Sequence, residues 1–584
     1  MTGERKIDPI GLELVKNALY SITDEMMVTI IRTAHSSNIK NVMDFSTAVF
    51  NKDGEMLCSG AGLRIHLGSM PDAMQAFLNK YKNKIYPGDV LILNDPFEGG
   101  MHLPDINIFT PIFVHGELFG FAGTVCHHVD IGGRVAGGNA SDSTNIFQEG
   151  LRIPPLKYYE KGQPNESLFA IIDRNVRLPM IIREDLRAQI AACNIAGKRF
   201  LELVTKYGRD NFKKYAEELL NYSERIARRE ISEIPDGVYE FEDIVEGDET
   251  HPGFIPLRVK LTVNGESMVI DFSGSSPQVR SAINCNLVNT KSACYAAVRE
   301  VMRSRIPSNG GYFRPITVVA ESGSVCNAVM PASVGGRGLI WARLVSLVAG
   351  ALAKAVPNRV SAAGQDSPNG VSIGGWDKER KPFVFLEFFL LGTGGRPGAD
   401  GIECNLDLSN APAEMIEREF PIAIQEFSYV YNTGGAGKYR SGLAVVRSYR
   451  VLADEAEAQV RSDRREIMAY GVQGGKVGTP SELYLYRANG ENFQLPGRAT
   501  FTMYRGDILR SITAAGGGWG NPLERDPEQV VQDVLNEKFT VEYAKKEYGV
   551  VINKETLCVD ISATTRLRRQ MMQSANSLYA LDET

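Results

Sequence analysis

The sequence lacks closely spaced cysteine pairs, long apolar runs and an excess of basic residues. Its eight cysteines include no CxxC pair, so neither a disulfide framework nor a zinc knuckle is indicated, and reduced, mostly buried thiols are expected. No uninterrupted stretch of about 18 apolar residues is present, and the first residues lack the apolar core of a signal peptide. The formal net charge is −6. We therefore expect a cytoplasmic protein that binds neither membranes nor nucleic acid.

The length of the chain predicts several packed domains. At 584 residues it is longer than the size at which a single hydrophobic core stops growing. Helical and strand-like patterns are intermixed, which predicts an α+β fold. We expect an N-terminal α+β domain over residues 1–235, a central α+β domain over 236–375, and a C-terminal strand-rich domain over 376–584 that ends in a helix.

Helical periodicity recurs in several parts of the chain. Between Pro9 and Ile39, apolar residues recur every three or four positions, which predicts one long amphipathic helix. Further helices are predicted over residues 71–81, 182–231, 284–305 and 336–356, and Pro527 is expected to open a final amphipathic helix.

Alternating apolar and polar residues predict hairpins between these helices. Residues 44–57 contain Asp53-Gly54, a dipeptide that favours a tight turn, and Asn264-Gly265 suggests another turn of this kind. The segments INIFTPIFV and ELFGFAGTVCHH are joined by His115-Gly116, which suits a two-residue turn because glycine accepts a positive φ. Antiparallel hairpins are therefore expected on both sides of the helical region.

Histidines and aspartates concentrate around the 106–127 hairpin. His102, His127 and His128 lie close in sequence to Asp95, Asp105 and Asp130. Imidazole nitrogens combined with carboxylate oxygens suit a divalent ion such as zinc, manganese or ferrous iron. The loop between Asp95 and Asp105 contains a glycine pair and two prolines, so it cannot form regular structure.

The turn predicts which residues of this hairpin face each other. If His115 and Gly116 form a two-residue loop, Val114 faces Glu117 and, counting back along both strands, Pro104 faces His127. His102 and Asp105 then lie beside His127, within reach of one ion. The alternative is that His127 and His128 are strand-end residues with hydrogen-bonded rings and that Asp105 caps a turn.

Successive motifs of the chain resemble the hydantoinase B/oxoprolinase family. They include MDFSTAVF, HLGSMPDA, GDVLILNDPFEGGMHLPDINIFTPIF, CHHVDIGG and QEGLRIPP in the first part of the chain, and NTGGAGKYRSG, SDRREIMAYGVQGG and AAGGGWGNP near its end. The resemblance covers essentially the full length. Two segments depart from the family pattern: KNVM before Asp44, and GGRG at 335–338 in place of a GGN-type sequence.

This resemblance implies a set of metal ligands: Asp44, His102, Asp105 and His127. Zinc is the first expectation, with manganese or iron as alternatives. These four residues and His128 are the candidate catalytic residues. His128 and Asp130 are either groups that orient a ligand or an outward-facing pair, and His66 is a further candidate for lining the site.

The resemblance also implies ATP-dependent chemistry shared between two subunits. A partner of the hydantoinase A type would bind ATP and Mg²⁺ and phosphorylate the carbonyl oxygen of a small cyclic amide, such as hydantoin, 5-oxoproline or a lactam. This chain would hydrolyse the activated amide at its metal, within an (AB)2 heterotetramer. Two alternatives stay open: a subunit of an ATP-dependent ketone carboxylase of the acetone or acetophenone type, and a non-catalytic scaffold subunit with a structural metal.

Two glycine-rich segments resemble phosphate loops only superficially. GGAGKYRSG has Asn432 where a Walker sequence requires glycine and Tyr439 where it requires serine or threonine, so a turn is the preferred interpretation. GGGWG from Gly516 is equally consistent with a tight loop between strands. Neither segment is assigned a role in binding ATP.

Overall fold

A computed structural model describes residues 7–60, 62–388, 392–403 and 408–582, with side chains described as far as residue 574. Helices and mainly antiparallel sheets are intermixed, so the predicted multi-domain α+β class is confirmed. The described cysteines are free thiols and all but Cys558 are buried, as expected, whereas Cys404 lies outside the described residues.

The described α-helices are, in chain order, α1 (Pro9–Thr33), α2 (Ser37–Lys40), α3 (Met70–Tyr81), α4 (Glu166–Asn175), α5 (Pro179–Tyr207), α6 (Arg209–Ser232), α7 (Leu287–Val301), α8 (Gly310–Phe313), α9 (Gly338–Ala355), α10 (Ala413–Glu419), α11 (Pro527–Leu535), α12 (Val541–Tyr548) and α13 (Ile561–Asp582). Short 3-10 turns cover Arg64–His66, Ile146–Gln148, Pro357–Arg359 and Pro522–Glu524.

The described strands are β1 (Phe45–Asn51), β2 (Met56–Ser59), β3 (Val90–Leu93), β4 (Asp105–Val114), β5 (Glu117–His127), β6 (Leu156–Glu160), β7 (Gln163–Pro164), β8 (Gly237–Glu246), β9 (Phe254–Asn264), β10 (Ser267–Asp271), β11 (Ile316–Val319), β12 (Gly370–Trp376), β13 (Pro382–Phe388), β14 (Ile422–Tyr429), β15 (Val445–Val451), β16 (Glu455–Arg461), β17 (Glu482–Tyr486), β18 (Asn492–Gln494), β19 (Arg498–Tyr504) and β20 (Ile508–Ile512).

The N-terminal part is built on a seven-stranded antiparallel sheet in the order β2-β1-β5-β4-β3-β6-β7. Its two faces are both apolar because side chains alternate along each strand. Ile106 and Ile108 of β4 pack with residues of α1, α5 and α6, whereas Phe109 packs with α3 on the opposite face. The β4–β5 hairpin is therefore buried between two helical layers.

The hairpin register differs by one residue from the predicted one. His115 and Gly116 do form a two-residue turn, with φ of 49° and 83°, and Val114 faces Glu117. A β-bulge at Phe119 then shifts the pairing, so that Asp105, and not Pro104, faces His127. The Phe119 ring contacts aromatic rings of α5 and α6, and this packing explains the extra residue.

The predicted helix from Pro9 to Ile39 is interrupted. Helix α1 starts as expected, with Pro9 at its first position and the Asp8 side chain accepting two backbone N–H groups, but it ends at Thr33. The buried Asp185 carboxylate of α5 accepts the backbone N–H groups of His35 and Ser36 at 2.7 and 3.1 Å. Helix α1 ends there because Asp185, distant in sequence, accepts backbone N–H groups that would otherwise continue the helical hydrogen bonds. A new short helix, α2, begins at Ser37.

The central part packs two helices against a four-stranded sheet in the order β11-β10-β9-β8. Buried residues alternate along strand β9 with residues that are exposed or, at Thr262, half-buried, as the sequence pattern predicted. The turn between β9 and β10 consists of Gly265 and Glu266, because Asn264 pairs with Ser267, so the predicted Asn264-Gly265 turn is displaced by one residue.

Among the described residues, one helix is long and apolar enough to cross a membrane by length and composition. This is α9, and 78% of it is buried inside the protein. Its side chains form the core between α7, β8 and β9. A helix covered by protein in this way is a core helix, so the finding is only weak evidence for a membrane span.

The C-terminal part contains two further sheets, ordered β13-β12-β16-β19 and β14-β15-β20-β17-β18, with a shared apolar core. Beside these sheets, three glycine-rich loops, around Gly435, Gly475 and Gly518, pack backbone against backbone. A Cβ at Gly475 would lie 1.9 Å from the carbonyl oxygen of Gly518, and one at Gly435 would lie 2.3 Å from its nitrogen. The helix opened by Pro527 is not the last one, since α12 and α13 follow it.

Candidate metal centre

Three of the predicted ligands converge at the open end of the β4–β5 hairpin. Asp105 is the first residue of β4, His127 is the last residue of β5, and His102 lies in the preceding loop. One potential ligand atom from each lies within 4.8 Å of the others, and all three side chains are buried. We call His102, Asp105 and His127 the three-residue cluster.

The loop that carries His102 is held by asparagine side chains. The Asn94 amide donates to the carbonyl oxygens of Leu103 and Leu151 at 2.7 and 3.0 Å. From the start of α7, Asn286 donates to the carbonyl oxygens of Pro96 and Gly100 at 2.6 and 2.8 Å. These contacts satisfy buried carbonyl groups that regular structure would otherwise pair, so the irregular loop has one defined conformation.

His127 is oriented from two sides by amides. The Asn38 side chain of α2 donates to the His127 carbonyl oxygen at 2.7 Å and lies 3.2 Å from Nδ1, and Asn139 lies 3.4 Å from Nε2. The ring also contacts His102 and Phe388, with centroid separations of 4.8 and 5.5 Å. The break between α1 and α2 is therefore part of the site, because it brings Asn38 to this imidazole.

Asp44 lies directly beside the three-residue cluster. Its carbonyl oxygen accepts the backbone N–H of His127 at 3.0 Å, and its own N–H donates to Asn38 at 3.2 Å. Burial, together with the negative charge of Asp105, raises the pKa of the Asp44 carboxyl to about 8. Asp44 therefore adjoins the cluster through its backbone, but its carboxylate is not one of the ligand atoms that lie within 4.8 Å of one another.

Burial keeps both histidines of the cluster uncharged at neutral pH. It lowers the pKa of His102 to about 4 and that of His127 well below its ordinary value, with the arginine charges acting in the same direction. Burial opposes ionisation of Asp105 as well, but His102 and Arg337 outweigh it and hold the pKa of this carboxyl well below its usual range. Neutral imidazoles and an ionised carboxylate are the forms that bind a metal.

Two buried arginines flank the cluster, and sequence reasoning missed both as site residues. Nη2 of Arg337, at the start of α9, donates to Oδ2 of Asp105 at 2.5 Å. Arg461 ends β16, and burial together with the Arg337 charge lowers its pKa to about 9. Arg337 could have been noticed because it is the residue at which GGRG departs from the family pattern. Arg461 directly precedes the SDRREIMAYGVQGG motif, and its distance in sequence from the other site residues indicated no role.

The remaining predicted residues lie around the cluster. Nε2 of His66 is 3.9 Å from Oδ2 of Asp105, and its Nδ1 is 3.0 Å from the Ser46 hydroxyl. His128 and Asp130 are both buried, so the outward-facing alternative is wrong. Nε2 of His128 is 2.9 Å from Oε1 of Gln189, and its backbone N–H donates to Pro104, while Asp130 pairs with Arg177 at 3.0 Å.

Glu149 anchors the loop that precedes Arg337. Its Oε1 accepts hydrogen bonds from the Ser333 hydroxyl and from the backbone N–H groups of Val334 and Gly335. Its Oε2 is buried and has no hydrogen-bond partner among the described residues. Burial raises the pKa of this carboxyl to about 7, against the hydrogen bonds and the Arg337 charge.

The raised pKa of Glu149 predicts a stability that falls with pH. A carboxyl that holds its proton more tightly when folded contributes stability below about pH 4.5, and this contribution is lost as pH rises to about 7, a change of about 3 kcal/mol. Glu149→Gln has no such proton to lose. We expect the urea unfolding free energies of wild type and E149Q to diverge between pH 5 and pH 8, with the variant gaining relative stability. Parallel curves would contradict this ionisation.

Comparisons with known proteins agree with the motifs. A family model described as hydantoinase B/oxoprolinase matches residues 8–522. The chain is 30% identical over 565 residues to the caprolactamase subunit beta of Pseudomonas jessenii, covering 94% of this chain and 97% of that protein. The crystal structure of the ATP-dependent caprolactamase from the same organism matches with a TM-score of 0.90 and 29% identity, over 97% of this chain and 100% of that one.

A nucleotide-free acetone carboxylase structure is also similar. It has a TM-score of 0.92 over 98% of this chain and 84% of that chain. At 20% sequence identity, this match shows a shared fold alone.

Proposed function

Because the chain belongs to the hydantoinase B/oxoprolinase family, we propose that it is the metal-dependent hydrolytic subunit of an ATP-dependent cyclic amide hydrolase. Hydantoin, 5-oxoproline and lactams are the candidate substrates. The observation that carries this proposal is the buried convergence of His102, Asp105 and His127 on one point. A partner subunit is supported by the caprolactamase relative, which is the beta subunit of its enzyme.

The chemistry of the three-residue cluster fits a divalent metal ion. Nδ1 of His102 is buried without a hydrogen-bond partner among the described residues, and such an atom is costly unless it binds something, while Nε2 lies 3.2 Å from Oδ1 of Asp105. We propose His102, Asp105, His127 and Asp44 as ligands, with zinc preferred and manganese or iron as alternatives. An ion held there supplies Lewis-acid activation of water near neutral pH.

The residues of the chain itself prepare this reaction in three ways. Asn38 holds the His127 backbone and faces Nδ1 of its ring, which leaves Nε2, 3.4 Å from the Asn139 amide, as the nitrogen for an ion, and Arg337 fixes one oxygen of Asp105. Burial excludes bulk water from the cluster. The Asp44 carboxylate, when ionised, is the group beside the cluster that can accept a proton from the attacking water, because the low pKa of Asp105 makes that carboxylate a weaker base. His128 holds the Pro104 carbonyl through its backbone N–H, and we propose that it supports the loop carrying His102.

ATP and Mg²⁺ are assigned to the partner, a hydantoinase A-type subunit that would phosphorylate the amide carbonyl within an (AB)2 heterotetramer. The two glycine-rich segments that resemble phosphate loops support this division. Their backbones pack closely against other backbone atoms, so their N–H groups do not form an open cradle for phosphates. We place the assembly in the cytoplasm, where ATP is available.

The division of labour predicts that the isolated chain is inactive. Without the partner it should neither hydrolyse ATP nor open hydantoin, 5-oxoproline or caprolactam, because the amide carbonyl is not activated. With the partner, one of these amides should stimulate ATP hydrolysis. Coupled assays of phosphate release and ring opening measure both reactions.

Two results would contradict the proposal. Strong lactamase activity of the single chain without ATP would remove the need for a partner. Stimulation of ATP hydrolysis by acetone with bicarbonate, and by none of the amides, would instead identify a carboxylase.

A further inference from the structure

Arg461 is a buried cation without a carboxylate partner. It is 5% exposed, and among the described residues it forms no ion pair, although the Asp44 carboxylate acts on its charge from a longer distance. Its Nη1 donates a hydrogen bond to the Gly335 carbonyl oxygen at 3.4 Å, and its Nε is buried without a partner among the described residues. Buried arginines are normally paired, because an uncompensated buried charge is costly. An anionic ligand would supply the missing partner.

The guanidinium of Arg461 is held beside the three-residue cluster. It lies over the Phe388 ring, 4.6 Å from the ring centroid, and the same ring contacts His127. A Cβ at Gly370 would lie 2.8 Å from Nε of Arg461, so the neighbouring strand β12 leaves room for this side chain only because it carries glycine there. The arginine is thus fixed next to the cluster and is not directed to solvent.

The charges around the cluster indicate the charge of the ligand. Once a bound divalent ion had displaced the proton of Asp44, the carboxylates of Asp44 and Asp105 would balance Arg337 and Arg461, all four of which are buried. A divalent ion on the proposed ligands would add two positive charges to this enclosed space. A dianion would restore neutrality there, whereas a carboxylate on the substrate would bring only half of the required charge.

We propose that Arg461, together with Arg337, forms an oxyanion subsite that binds the phosphoryl group of the activated substrate beside the metal ligands. This inference rests on the proposed function. A guanidinium presents parallel N–H donors that match two phosphoryl oxygens, and Nε of each arginine is free of protein partners among the described residues. The subsite binds and orients the phosphorylated amide and, after hydrolysis, retains affinity for free phosphate.

Inorganic phosphate is a direct probe of this subsite. Calorimetric titration into the zinc-loaded full chain should show saturable binding, and phosphorus NMR of the manganese-loaded chain should show line broadening from the nearby ion. Arg461→Met should weaken phosphate binding at least tenfold. Arg461→Lys keeps the positive charge but loses the parallel N–H donors of the guanidinium, so it should weaken binding less. Acetate should bind more weakly than phosphate because it carries a single charge.

Arg505→Met is the matched control, since Arg505 forms an exposed pair with Asp454 away from the cluster. It should leave phosphate affinity unchanged. Equal phosphate affinity in wild type and both Arg461 variants would overturn the subsite, as would a metal-loaded wild type that does not bind phosphate. Metal content, measured separately on each protein, distinguishes this from failure of the proposed function: a chain that takes up no divalent ion would refute the metal centre itself.

Discussion

Replacing His127 with alanine should abolish ring opening by the assembled complex, lowering kcat/KM by about 10³-fold or more. The substitution removes one of three buried ligand atoms that lie within 4.8 Å of each other. It also leaves the amides of Asn38 and Asn139 without the ring nitrogens they face. Asp105→Asn should have a similar effect, because it removes the negative charge that Arg337 and an ion would share.

The measurement combines steady-state ring opening with elemental analysis of each purified complex. Both variants should lose the metal as well as turnover. His115→Asn is a suitable control: this histidine lies at the exposed tip of the same hairpin with φ of 49°, which asparagine tolerates. If His127→Ala and Asp105→Asn kept full turnover in the complex, the chain would be a scaffold subunit and not the hydrolytic one.

Replacing Arg343 with methionine should lower the free energy of unfolding by about 3–5 kcal/mol. This arginine of α9 is fully buried and pairs with Asp243 of β8 and with Asp463, which follows β16. Removing it would leave buried carboxylates without their main counter-charge. These ion pairs also connect the central sheet to the C-terminal sheets, so the substitution should destabilise both parts of the protein.

Urea unfolding of the purified chain measures this effect. Arg505→Met serves again as the control, because removing an exposed ion pair should change the free energy by no more than about 1 kcal/mol. A change of the same small size for Arg343→Met would show that Arg464, which also contacts Asp243, compensates for its loss. That outcome would contradict the importance assigned to Arg343.

Local patterns were sufficient for most secondary structure. The hydrophobic spacing of α1 and the alternation along β9 each reflect one apolar face, which the sequence shows directly, whereas α9 is apolar on nearly all sides because it is a core helix. Two of the errors fall where distant residues intervene, whereas the predicted helix over residues 182–231 is divided locally, at Gly208, into α5 and α6. Asp185 of α5 ends α1 early, and the packing of Phe119 against α5 and α6 introduces the bulge. The division into three domains stays a prediction.

The candidate site was partly accessible for the same reason. His102, Asp105 and His127 lie on one hairpin, and its two-residue turn brings them together by local geometry, even with the register displaced by one residue. Asp44 was indicated by family resemblance alone, because it belongs to a different hairpin. Arg461 lies far from the cluster in sequence and no local pattern pointed to it, whereas Glu149 belongs to the QEGLRIPP motif, which indicated the family but no role in the site.

The sequence by itself determined the α+β class, the family and the hairpin that carries three candidate ligands, because these depend on local periodicity, turn chemistry and contiguous motifs. The tertiary structure alone decided which residues surround them. Asn38, Arg337 and Arg461 reach the cluster from separate parts of the chain, and their burial there sets the charges and the pKa values of the site. Burial and long-range electrostatics arise only when distant segments pack together, so they cannot be predicted from residues that are neighbours in the sequence.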